Sequence, residues 1–186
     1  MIRLHVRPRW CSRLLLALPL TLAACAGGRV SDWPVKIGQP YRVRGVTYVP
    51  AAAPGYEAVG YASWYGSESG NRTANGERYR ARWVSGAHTT LPLPSYVAVT
   101  ALESGRTILV RVNDRGPFAP GRVIDLSQGA ARLLGVGRAG QAAVHVRLVD
   151  PPERDRARLR RGKPAAPRPD AAPKDLATWR SLLTAR

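Results

Sequence analysis

Apolar and polar positions alternate with period two through much of residues 56–150, a pattern that predicts short strands. "AVGYASWYG" predicts one strand that ends at Gly66. "SYVAVTALESGRTILVRVND" holds two β-rich runs around "ESGR", whose Gly suits a tight turn, and predicts a hairpin. "VIDL" predicts another short strand, and "AAVHVRLV" closes the region with Val144, Val146 and Leu148 on one face. His145 falls on the other face of that strand and is expected to be solvated. "TLPLP" is excluded as a central strand, because its prolines have no N–H to donate. "SQGAARLLGVG" reads as one short helix, with Ser127 as N-cap and Gly135 as its stop. Many short strands, one helix and frequent Gly and Pro turns predict an all-β fold, a small β-barrel.

The flanks follow other patterns. Arg3, Arg7, Arg9 and Arg13 precede "LLLALPLTLAA", an apolar run too short to span a bilayer. It ends in "LAAC", which resembles a bacterial lipobox and implies a signal peptide over 1–24 and acylation of Cys25. Several acyl chains would hold the protein in a lipid bilayer, where one would be marginal. Ala26 after the Cys favours outer-membrane sorting, facing the periplasm. Residues 25–55 read as a membrane spacer and lead-in, with a segment near "YRVRGVTYV" that wraps to the domain edge. Residues 151–186 are Pro- and Arg-rich and are expected to be disordered, apart from a weak terminal helix in "LATWRSLLTAR".

Charge and cysteine content narrow the partners. The formal net charge is +17, and most of it lies outside residues 56–150. An exported lipoprotein does not meet DNA or RNA, so anionic headgroups and cell-wall polymers are the expected acidic neighbours rather than nucleic acid. Cys11 leaves with the signal and Cys25 carries lipid, so neither of the 2 cysteines remains for a disulfide, a metal site or a nucleophile. No cofactor or metal is expected, and the chain is expected to be a monomer.

The chemistry concentrates in "RVNDRGPF", where a buried strand ends in Asp114 beside Arg115 at a Gly-Pro turn. Ordinary turn chemistry and a catalytic acid on a rigid mount are both compatible with that stretch. Four blocks stand in order: "GYASWYG", "RTANGE", "AHTTLPLPSYVAVT" and "RVNDRGPF…GRVIDLS". Together they resemble the RlpA (rare lipoprotein A) family of endolytic peptidoglycan lytic transglycosylases, over roughly Lys36 to Asp150. The resemblance implies a six-stranded double-psi β-barrel over 56–150, related in shape to expansins, with peptidoglycan glycan strands as partner. Many members also carry a SPOR domain, and the short, polar tail here is not expected to be one.

The implied reaction cleaves the MurNAc–GlcNAc bond and leaves a 1,6-anhydro-MurNAc end. One carboxyl group can act in turn as acid and base in such a reaction. The resemblance places that role on Asp114, a second functional carboxylate on Glu77, and a tuning or proton-handling imidazole on His88. It carries substrate binding onto Trp64, Tyr65, Thr73 and Asn75, and a supporting role onto Asn113, Arg115 and Asp125. Alternation along a strand sends at least one of Trp64 and Tyr65 into the core. The chain departs from the family pattern at Glu68, Ser69, Arg80 and Thr89. The alternative implied by those changes is a non-catalytic, expansin-like peptidoglycan-binding lipoprotein.

Overall fold

The computed structural model describes residues 30–65, 71–137 and 140–185. The signal segment, Cys25, Glu68 and Ser69 lie outside the described residues. Two short strands, β1 (Tyr41–Val43) and β2 (Val46–Tyr48), pair only with each other. Six more close a barrel: β3 (Glu57–Tyr65), β4 (Ser85–Ala87), β5 (Ser95–Ala101), β6 (Thr107–Asp114), β7 (Arg122–Ser127) and β8 (Gln141–Leu148). Their order around the barrel is β3-β7-β4-β6-β5-β8. The β3/β7 and β4/β6 pairs are parallel and the other four are antiparallel. The fold is thus mostly β with a closed barrel, as the alternation predicts, and the barrel has the six strands that the resemblance implies.

The barrel closes because its inward positions are apolar. Val97, Val99, Val110, Val112, Ile124, Leu126, Val144 and Val146 are all fully buried. Each such side chain contributes about 1.5–3 kcal/mol of burial. The predicted hairpin is β5–β6, and "TLPLP" stays outside the barrel, where Leu93 exchanges backbone bonds only with Lys36 of the lead-in. Helix α1 (Gln128–Leu134) has the predicted ends: the Ser127 side chain accepts from the Ala130 N–H, and Gly135 turns left-handed at φ 89°. A Cβ at Gly129 would collide with the Arg82 carbonyl, so glycine lets the helix start lie against the 81–83 backbone.

The C-terminal segment has the expected terminal helix, but before it differs from the expectation of disorder. Residues 153–160 form α2 (Glu153–Arg160) and residues 173–184 form α3 (Pro173–Thr184), and both pack on the barrel. A few well-spaced apolar side chains suffice: Leu159 joins the main core, while Leu176, Trp179 and Leu183 cover Val59 and Leu102. Asp155 is fully buried and accepts from the Ala166 N–H and the Arg168 guanidinium. His145 is buried too, not solvated. Trp179 stacks on its ring at 3.9 Å, and Nε2 meets Glu57 Oε1 at 2.6 Å. Alternation does place His145 on the outer face of β8, but α3 lies over that face.

Candidate active site

Strand β6 runs between β4 and β5 and ends at Asp114, whose Cα pairs with Ala87 of β4. The His88 N–H donates to the Asp114 carbonyl at 3.0 Å, so the strand end is clamped before the Gly-Pro turn begins. The carboxylate Oδ1 accepts two backbone N–H groups, from Ala74 and Arg115, each at 2.8 Å. Oδ2 has no hydrogen-bond partner among the described residues. Burial pushes the Asp114 carboxyl above the usual aspartate range, against the opposing pull of those two N–H groups and of the Arg115 charge. Arg115 does not pair with the carboxylate through its guanidinium, which donates instead to the carbonyls of His88, Leu91 and Ile37.

Glu77 is held in a different way. Its two oxygens accept four hydrogen bonds: two from Arg111 at 2.7 and 2.8 Å, one from Asn113 at 2.8 Å and one from Asn75 at 2.9 Å. Arg111 is 2% exposed, and its Nε donates to Asp32 at 3.1 Å. Tyr96 donates to the same Asp32, and Arg160 of α2 pairs with it. Glu77 therefore anchors the 71–79 loop to β6, and the loop in turn delivers the Ala74 N–H to Asp114. The Asn75 N–H reaches the Asn113 carbonyl at 3.1 Å, and the Thr73 hydroxyl accepts from the Glu77 N–H at 3.2 Å. Thr73 and Asn75 shape the loop, and Asn113 braces Glu77.

His88 is 3% exposed and both ring nitrogens are engaged. Nδ1 accepts from the Thr90 and Leu91 N–H groups, which places the proton on Nε2, 2.8 Å from the Tyr56 hydroxyl. Burial, helped by the nearby Arg115 charge, pulls its pKa down to about 4. The imidazole is a neutral brace under the 88–91 segment, and its hydrogen bonds do not include the Asp114 carboxylate.

Trp64 packs on the core, and Tyr65 stacks on Tyr79 with ring centroids 5.0 Å apart. Burial drives the Tyr65 hydroxyl well above its ordinary pKa, and the negative charges of Asp114 and Asp125 add to that rise, so the phenol lies within electrostatic reach of both acids. Asp125 is held by side chains among the described residues. Its Oδ1 accepts from Ser63 at 2.6 Å and faces Arg122 Nε at 3.5 Å. Its Oδ2 turns toward Gly116, where an added Cβ would lie 3.7 Å away.

Several residues escape sequence reasoning. Phe118 sits beside Gly116 and contacts Tyr41 and Tyr48 of the lead-in hairpin, at centroid distances of 6.1 and 5.5 Å. Tyr41 fixes the hairpin by donating to the Thr89 carbonyl at 2.7 Å. Arg111 did carry a signal, as the lone cation inside a buried apolar strand. Asp32 carried none.

Residues 57–146 match the family model described as lytic transglycolase. An endolytic peptidoglycan transglycosylase RlpA of Pseudomonas aeruginosa is 54% identical over 114 residues, covering 60% of this chain and 33% of that protein. Its counterpart in Vibrio cholerae is 48% identical over 120 residues, covering 62% of this chain and 46% of that protein. The one in Rickettsia bellii is 42% identical over 118 residues, covering 61% of this chain and 52% of that protein. The chain thus spans between a third and about half of the length of these curated relatives. With its six-stranded order and the four sequence blocks in place, the barrel of this chain belongs to the RlpA-type family of lytic transglycolase double-psi barrels.

Proposed function

We propose that the protein cleaves MurNAc–GlcNAc bonds of peptidoglycan glycan strands and that Asp114 is its acid and base. The observation that carries this reading is the asymmetry of the Asp114 carboxyl: one oxygen fixed by two N–H groups, the other without a partner among the described residues, in a site whose burial favours the protonated form. In the first half of the reaction the Asp114 proton passes to the bridging oxygen as the bond from muramic C1 to that oxygen breaks. In the second half the muramic C6 hydroxyl attacks C1 and gives its proton to the Asp114 carboxylate. The products are a 1,6-anhydro end and a free GlcNAc hydroxyl, and the acid is restored without water. Glu77 and His88 act as positioning residues, Glu77 through the Ala74 N–H and His88 through the 88–91 segment.

In this reading the protein works in the cell envelope, anchored in the outer membrane by lipid on Cys25, as a monomer. The test is incubation of the protein with purified sacculi and mass spectrometry of the soluble products. Anhydromuramic ends are expected from the wild type and not from Asp114→Asn. A wild type that binds sacculi without releasing such ends would leave the expansin-like binding role instead.

A further inference from the structure

A concave surface shares the 71–79 loop with the Asp114 site but does not include Asp114. It is an open groove of about 1290 Å³ between the lead-in, the loop and α2. Its walls carry Lys36, Arg72, Arg78, Arg80 and Arg161. None of these five has a carboxylate within ion-pair distance among the described residues. Arg160, also on the wall, is already committed to Asp32 and Glu153. The acid that lines the groove, Glu77, is matched by Arg111. At the mouth stands Trp33, 80% exposed.

Cations that face a common space without a carboxylate partner raise the local concentration of anions, although Arg80 lies over the Trp83 ring and Arg72 donates to the Gly76 carbonyl. A bare indole beside them offers a flat apolar face of the kind that covers a sugar ring. A concave groove suits a strand better than the flat surface of a bilayer. We propose that this groove is an accessory subsite for the carboxylate groups along the wall polymer, rested on the substrate class proposed above. Every muramic acid carries one source of such charge: its own lactyl carboxylate where the peptide is gone, or the carboxylates of the stem peptide where it remains. Because the groove and Asp114 share one loop, a strand held there is delivered to the acid already oriented, and binding tightens at low ionic strength.

Pelleting of the full chain with sacculi tests this, read in the Asp114→Asn background so that polymer is not consumed. Arg78 and Arg161 are exposed, so Arg78→Glu with Arg161→Glu leaves the fold intact, which the melting temperature checks. The expected result is about a tenfold weaker apparent affinity, the size of two partly exposed ion pairs together, and a flatter salt dependence. Lys36→Glu is expected to move affinity in the same direction by less. Capping the wall carboxylates as methylamides reproduces the loss with the parent protein. A loss on peptide-bearing sacculi alone assigns the stem-peptide acids, and a loss on amidase-stripped strands assigns the lactyl carboxylate. Unchanged sacculus binding by the double variant overturns the proposal. So does a loss seen only on phosphatidylglycerol vesicles, which would make the groove a lipid contact. Neither result bears on Asp114, whose role is read separately from anhydromuramic release.

Discussion

The end of β6 and the root of the 71–79 loop each place an acid next to an arginine, and they use the pair in opposite ways. At Glu77 the guanidinium of Arg111 meets both carboxylate oxygens, and two amides complete the set. At Asp114 the neighbouring Arg115 turns its guanidinium onto three carbonyls and offers the carboxylate only its backbone N–H. A fully saturated carboxylate holds structure together and has no lone pair left for a substrate. A carboxylate with one oxygen fixed and one open can hold a proton at a defined place and release it. Residue type did not distinguish the two. The direction of the arginine did.

The largest effect that sharpens this comparison is on turnover. Asp114→Asn is expected to lower the release of anhydromuramic ends by about 10²–10⁴-fold, the range for removal of a general acid. Its stability should hold or rise at neutral pH. Burial raises the folded-state pKa, so the charged form of Asp114 costs the folded protein stability above that pKa, and the neutral amide removes the cost. The difference in melting temperature between the two proteins should shrink as pH falls and the native acid takes up its proton. A variant that loses activity together with stability would place Asp114 with Glu77 as a structural acid.

Glu77→Gln should do the reverse. It takes from Arg111, 2% exposed, one of its two carboxylate partners and leaves only Asp32, and is expected to cost about 1–3 kcal/mol in urea unfolding. Adding Arg111→Met is expected to recover part of that loss, because Asp32 keeps Arg160 and Tyr96. Residual activity should follow the folded fraction. A Glu77→Gln protein that stays stable yet is inactive would break the comparison and make Glu77 a second proton-handling group.

How much of this was legible in the sequence depends on how local each cause is. The β5–β6 hairpin and both ends of α1 were readable, since a Gly turn, a Ser cap and a Gly stop act over a few residues. The Asp114 mount was readable because a strand followed by Gly-Pro has to end where it does. The saturation of Glu77 was not, since its partner Arg111 lies 34 positions away across the barrel. His88 suggested proton chemistry, yet the backbone turn it braces, with two N–H groups aimed at Nδ1, exists only in the folded chain. Apart from its terminal helix, the tail was misread as disordered because proline and arginine dominate its composition. Its order rests on a handful of apolar contacts, Leu159 and Leu176 above all, that a composition average hides.

A pH titration separates the brace from the acid. His88 has a folded pKa of about 4 against 6.5 for the free side chain. A depressed folded-state pKa contributes stability above the unfolded value and loses it as pH falls through the folded one. The protein is therefore expected to lose about 3 kcal/mol between pH 6.5 and 4 from this group, at 1.36 kcal/mol per pH unit. His88→Gln should be less stable at pH 7 and show a flatter slope over that window. An unchanged slope would mean that the imidazole titrates in the fold as it does in the unfolded chain, and would remove it as a buried neutral brace.

The smallest effect belongs to a third acid–base contact, at the end of β3 away from Tyr65. Glu57, His145 and Trp179 meet there, with the indole stacked on the imidazole at 7° between planes. The geometry is as close as any at the candidate site, but α3 covers the imidazole, and the groups lie at the far end of the strand from the open Asp114 oxygen. Trp179→Ala is expected to cost about 0.5–1.5 kcal/mol beyond the lost burial, seen as a lower melting temperature, and to leave the release of anhydromuramic ends unchanged. Its outcome isolates what an acid beside a base does when a helix covers the base. A fall in activity without a fall in stability would show that α3 communicates with the Asp114 end of the barrel, and would end the division of the molecule into an open acid and its closed supports.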